Sequence, residues 1–107
     1  MNALPPLVAE RLPQVHALCE KHGVKSLSIF GSAVKGTFDP EKSDLDFVVE
    51  FLPEDDPIRR GEYYLDLLVD LQRLFDRNVD LVVGTSIENP YFKQVLELTA
   101  RELYDAA

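Results

Sequence analysis

From about Pro6 to His22 the apolar positions Val8, Leu12, Val15 and Cys19 recur at spacings of four, three and four, which lays one stripe along a helix. Pro13 falls inside that pattern, so the helix is expected either to kink or to start late. Gly23 is placed to end it in a left-handed conformation. The period then changes to two. Lys25 to Phe30 reads as a strand in which Leu27 and Ile29 alternate with serines, and Asp44 to Phe51 reads as a second. In the second, Leu45, Phe47, Val49 and Phe51 line one face, and Asp44, Asp46, Val48 and Glu50 line the other. Pro53 to Pro57 reads as a loop, with Asp56-Pro57 resembling a cap followed by proline at the first helical position. A helix beginning near Ile58 or Glu62 and running to Asp76 carries Tyr64, Leu67, Leu68, Leu71, Leu74 and Phe75 as its stripe. Asn78 suits a turn into a third strand, Val79 to Val83. Asn89-Pro90 repeats the cap-and-proline signal and opens a last helix, on which Phe92, Val95, Leu96, Thr99 and Leu103 share a face.

Three strands and three main helices predict an α+β fold, a small mixed β-sheet covered on one face by helices. The opposite face is left for Asp44, Asp46 and Asp80. A chain of 107 residues fits one domain, residues 1–107, with no room for a separate acceptor-binding domain. No apolar run reaches the roughly 20 residues that span a bilayer, and no basic segment leads into an apolar one as in a secretion signal. A single cysteine, Cys19, rules out an internal disulfide and suits a reducing cytoplasm. Eleven basic against nineteen acidic residues give a net charge of −8, so nucleic acid is not expected as the main partner. Acidity does not exclude a nucleotide, because a bound divalent metal reverses the local charge.

The candidate chemistry lies between the first two strands. In Phe30-Gly31-Ser32-Ala33-Val34-Lys35-Gly36, Gly31 permits close backbone approach and Ser32 offers a hydroxyl and an amide to a phosphate oxygen. Lys35 adds a point charge. Ser43-Asp44-Leu45-Asp46 follows, and carboxylates two residues apart on a strand share a face at about 6.5 Å. Asp80, alone in an apolar strand, is the natural third carboxylate. Magnesium prefers carboxylate, phosphate and water oxygens, and two such ions about 3.5–4 Å apart suit phosphoryl transfer. Elsewhere the bland reading holds. His16 and His22 have no ligand spacing, Cys19 belongs to an apolar stripe, and Tyr63, Tyr64, Tyr91 and Tyr104 are packing residues. Arg59 and Arg60 read as a solvated helix start.

Gly31-Ser32, Gly36 and Ser43-Asp44-Leu45-Asp46 together resemble the signature of the DNA polymerase beta-like nucleotidyltransferase superfamily, and the small size with Asp80 in a later strand resembles its minimal nucleotidyltransferase (MNT) branch. The likeness runs from about Ser26 to Tyr104, and Asn89-Pro90-Tyr91 through Arg101-Glu102-Leu103-Tyr104 is similar to the family's closing helix. The resemblance implies that Gly31, Ser32, Lys35 and Ser43 bind the nucleotide, ATP or another NTP. It implies that Asp44 and Asp46 bind two Mg2+ ions, while Asp80 binds the catalytic one and helps deprotonate the acceptor. Many members carry arginine directly after the serine, where this chain has Ala33, while Lys35 stands where a second basic residue is common.

The same resemblance implies transfer of a nucleoside monophosphate, AMP above all, to an acceptor hydroxyl, with the chain serving as antitoxin to a HEPN-domain ribonuclease toxin. A second reading is a binding module without catalysis that neutralises a basic partner by occlusion, favoured by Ala33 and the acidic surface. A third is a transferase acting on a small molecule, its acceptor site built between the subunits of a homodimer.

Overall fold

The period-two segments become strands of one sheet, and their apolar sides become its core. The computed structural model describes residues 4–35, 39 and 44–106. Its elements are α1 (Pro6–Ala9), α2 (Leu12–Lys21), β1 (Val24–Phe30), α3 (Ser32–Lys35), β2 (Leu45–Phe51), α4 (Pro57–Phe75), β3 (Val79–Val83), α5 (Pro90–Thr99) and β4 (Arg101–Asp105). The sheet order is β3-β2-β1-β4. β1 pairs antiparallel with both β2 and β4, while β2 and β3 are parallel. That parallel pair needs a crossover, which α4 supplies.

Leu27, Ile29, Leu45, Phe47 and Val49 are fully buried on one face. Val8 of α1, Val15 and Cys19 of α2, and Leu67, Leu71 and Phe75 of α4 pack against them. The expected α+β class therefore holds. α4 is set by its ends. The Asp56 side chain accepts from the Ile58 amide at 3.0 Å, Pro57 takes the first turn, and Asp76 closes the helix at φ 50°. Among the described residues no helix is long and apolar enough to cross a membrane.

One of these expectations holds and one needs correction: the main first helix starts late, as Pro13 implied, and the last helix ends early. The first helix is broken into α1 and α2, because a proline ring collides with the carbonyl four residues earlier. For Pro13 that residue is Ala9, and α1 ends there. Pro13 instead occupies the first turn of α2, where its missing N–H costs nothing. The last helix stops at Thr99 rather than continuing past Leu103. Ala100 turns extended at ψ 145°, and Arg101–Asp105 forms a fourth strand on the outer edge of β1. Leu103 fits a helical stripe and a strand alternation equally well. The unpaired edge of β1 decides between them, since a strand there satisfies its backbone groups.

α1, α2 and α4 cover the apolar face, whereas α5 lies against the open face. Phe92 of α5 meets Phe30 of β1 edge-on at 6.2 Å, and Leu96 is the helix's one buried residue. Phe92 and Val95 of the expected stripe are more than a third exposed, and Tyr91 and Leu98 are largely so.

Candidate active site

The central strand β2 carries Asp46 on the open face, half-buried, between two neighbours. On one side β3 pairs in parallel register with Asp46 opposite Asp80, so both side chains leave the same face. On the other side Phe30, the last residue of β1, is the register partner of Asp46, and the chain turns immediately afterwards at Gly31. Gly31 has φ 73°, a left-handed conformation that side chains resist. A Cβ there would also collide with the Asp46 carboxylate. Glycine is therefore required twice, by the backbone and by the nearby acid. Asp44 stands exposed at the residue before β2.

This crowding has an electrostatic cost. Burial pushes the Asp46 carboxyl above its ordinary value, and the negative charges of Asp80 and then Asp44 push it further. Aspartates in this relation suit a hard divalent cation, which takes oxygen ligands and relieves their repulsion. Among the described residues no three side chains stand as an already formed metal cage. The three aspartates fit a hard cation by donor chemistry.

Other titratable groups are occupied elsewhere. Burial pushes the Cys19 thiol up to about 12, with Glu20 adding to it, so it stays protonated among core side chains. His16 Nε2 lies 2.8 Å from the Leu103 carbonyl oxygen, and His22 Nε2 lies 2.7 Å from Asp70 Oδ2. Both histidines hold elements together, in keeping with the absence of ligand spacing.

A nucleotidyltransferase domain family profile matches residues 14–102. The chain belongs to the nucleotidyltransferase domain family. A Methanocaldococcus jannaschii protein provisionally named a protein adenylyltransferase is 39% identical over 80 residues, 75% of this chain and 77% of that protein. A solved structure provisionally described as a minimal nucleotidyltransferase has a TM-score of 0.65 at 27% identity, covering 87% of this chain and 89% of the other. A toxin–antitoxin crystal structure with AMP-PNP has a TM-score of 0.61 at 24% identity, covering 89% of this chain and 73% of that one; at this distance the likeness is one of fold.

Within this nucleotidyltransferase the fold brings Gly31, Asp46 and Asp80 side by side, with Asp44 adjoining them. The backbone of Ser32 and Lys35 forms the short α3 directly after Gly31, and the Val34 amide donates to the Gly31 carbonyl at 3.1 Å. Gly36 and Ser43 lie outside the described residues. Ala33 is 3% exposed and packed in the core with Val34. Position 33 of this chain therefore points inward.

One group escaped the sequence reading. Glu50 shares the open face, and its Oε1 accepts from the Thr85 amide at 2.8 Å. This holds the short 3-10 turn Gly84–Ser86 beyond β3 against the sheet. A Cβ at Gly84 would meet that same oxygen at 2.6 Å. The available signal was Gly84 directly following an apolar strand, a position where close backbone approach is common.

Proposed function

We propose that this chain transfers AMP from ATP to a hydroxyl on a partner protein, with Mg2+ as cofactor and a HEPN-domain toxin as the acceptor. The placement of Asp46 between Asp80 and the Gly31 turn carries this reading. The provisional name of the M. jannaschii relative and the toxin–antitoxin setting of its structural neighbours support it.

Gly31 lets the backbone approach a triphosphate closely, and Ser32 follows with an amide and a hydroxyl for its oxygens. Asp44 and Asp46 would hold both metal ions, and Asp80 the ion nearer the acceptor. Bound there, Mg2+ supplies charge neutralisation and an acidified acceptor hydroxyl. Asp80 would orient that hydroxyl and take its proton. The acceptor oxygen then bonds to the α-phosphorus, the bond from that phosphorus to the α–β bridging oxygen breaks, and pyrophosphate leaves. The open face is where an acceptor presented by a second protein can reach these groups, and such positioning is a large part of catalysis.

The test incubates the chain with α-labelled ATP, Mg2+ and its proposed HEPN-domain partner. Label on the partner, lost with Asp46→Asn, is the expected result. An intact complex that never takes up label would refute transfer. A non-catalytic antitoxin acting by occlusion is the second reading, favoured by the inward-facing Ala33, which offers no cation beside Ser32. Under occlusion, neutralisation of the toxin survives the double change of Asp44 and Asp46 to asparagine.

A further inference from the structure

Beyond Asp46 and Asp80 the open face runs into a cavity of about 480 Å³, bounded by β2, β1, β4, α5 and the turn that follows β3. Its apolar part includes Val48 of β2 and Leu96 of α5. Around them stand three carboxylates, Glu50, Glu97 and Glu102, against one ammonium group, Lys93. Glu50 is fixed in place by the Thr85 amide at 2.8 Å. The volume falls within the range of small-ligand pockets, at roughly 300–1,000 Å³.

The lining selects a chemistry. Without a metal ion between them, a polyanion such as a nucleotide triphosphate is repelled by it. A side chain with an aliphatic stem and a cationic head matches both parts, the stem against Val48 and Leu96 and the head among the carboxylates. Position also matters. Val48 and Glu50 lie two and four residues beyond Asp46 on the same face, so about 6.5 and 13 Å from it along the strand. An extended peptide with its hydroxyl at the aspartates would place a residue two to four positions away over the cavity.

The geometry points to this cavity as the acceptor-recognition pocket, holding a lysine or arginine side chain two to four residues from the modified hydroxyl. This rests on the transfer reading above and adds the acceptor's charge to it.

The test is a pair of NMR titrations of the full, isotope-labelled chain. One uses glycine-rich peptides bearing a tyrosine and, three residues before or after it, an arginine, with glutamine-for-arginine controls. The other uses ATP with Mg2+. The expected result is saturable movement of the Lys93, Glu97 and Glu102 signals by an arginine peptide, at least about fivefold tighter than its control and weakened by Glu97→Gln. Binding no tighter than the control, or no movement of these signals, overturns the inference. So does displacement of the peptide from these residues by ATP, which would give the cavity to the nucleotide. Failure of ATP to move Gly31, with the arginine peptide still bound in the cavity, sinks the nucleotide reading and leaves the cation pocket supported.

Discussion

The Asp46 carboxyl is raised above its ordinary 3.8 by burial and by its acidic neighbours, so the folded state holds that proton more tightly than the unfolded chain does. The sign follows. Stability falls as pH rises through the window above 3.8, and at neutral pH the metal-free protein carries an ionised group that its fold disfavours. Asp46→Asn should therefore raise the melting temperature of the metal-free protein at pH 7 while lowering AMP transfer by about 100-fold, the equivalent of roughly 3 kcal/mol in the transition state. Thermal melts beside a transfer assay check both, and a lowered melting temperature would contradict the electrostatic account. Gly31→Ala should fail in both respects. The left-handed backbone alone costs about 1–2 kcal/mol, and the added methyl group displaces Asp46. At this scale the turn at Gly31 and the place of Asp46 on the polar face of its strand were legible from the chain, since a glycine and a period of two act locally. Glu50 was not, because nothing in its neighbourhood signals that it holds a turn 35 residues later.

Elements are joined by a few polar contacts that the hydrophobic pattern does not report. Asp70 of α4 receives His22 at 2.7 Å and Lys21 at 3.4 Å, tying the end of α2 to the helix beside it. The hydrogen bond from His22 holds the Asp70 carboxyl below its ordinary value, with Lys21 assisting. A lowered carboxyl contributes stability that is present above its ordinary 3.8 and lost as pH falls through the folded value. Asp70→Asn should thus destabilise the protein at pH 7 and flatten the acid side of its stability profile, measured by denaturation between pH 2 and 7. Tyr64 of α4 donates to the Leu81 carbonyl at 2.6 Å, next to Asp80 in the strand that bears it. Tyr64→Phe should cost about 0.5–1.5 kcal/mol in a denaturant titration, the usual worth of such a bond. The long helix α4 was readable because its cap, proline and stripe all agree. α5 and β4 were not separable in advance, since Leu103 suits both periods and only the edge of β1 favours the strand.

For the molecule as a whole, anything that binds the folded state alone stabilises it by mass action. ATP with Mg2+ at about 100 times its dissociation constant should add about 2.7 kcal/mol, and chelation of the metal should remove the gain. The increment should vanish in Asp46→Asn if the carboxylates are the ligands, and calorimetry with and without chelator decides it.

The chain by itself determined which residues are apolar on one side of each strand, where the long helix ends, and which residue types could hold a metal and a phosphate. These follow from local sterics and from periods of two and 3.6, which act over neighbouring residues. The tertiary structure alone decided that Asp46 and Asp80 are register partners and that Gly31 closes on Asp46. It also decided that α5 borders a cavity on the open face and that the terminal segment becomes an edge strand. Those outcomes depend on which strand finds which neighbour, and backbone hydrogen bonding between distant segments selects among pairings that residue type leaves equal.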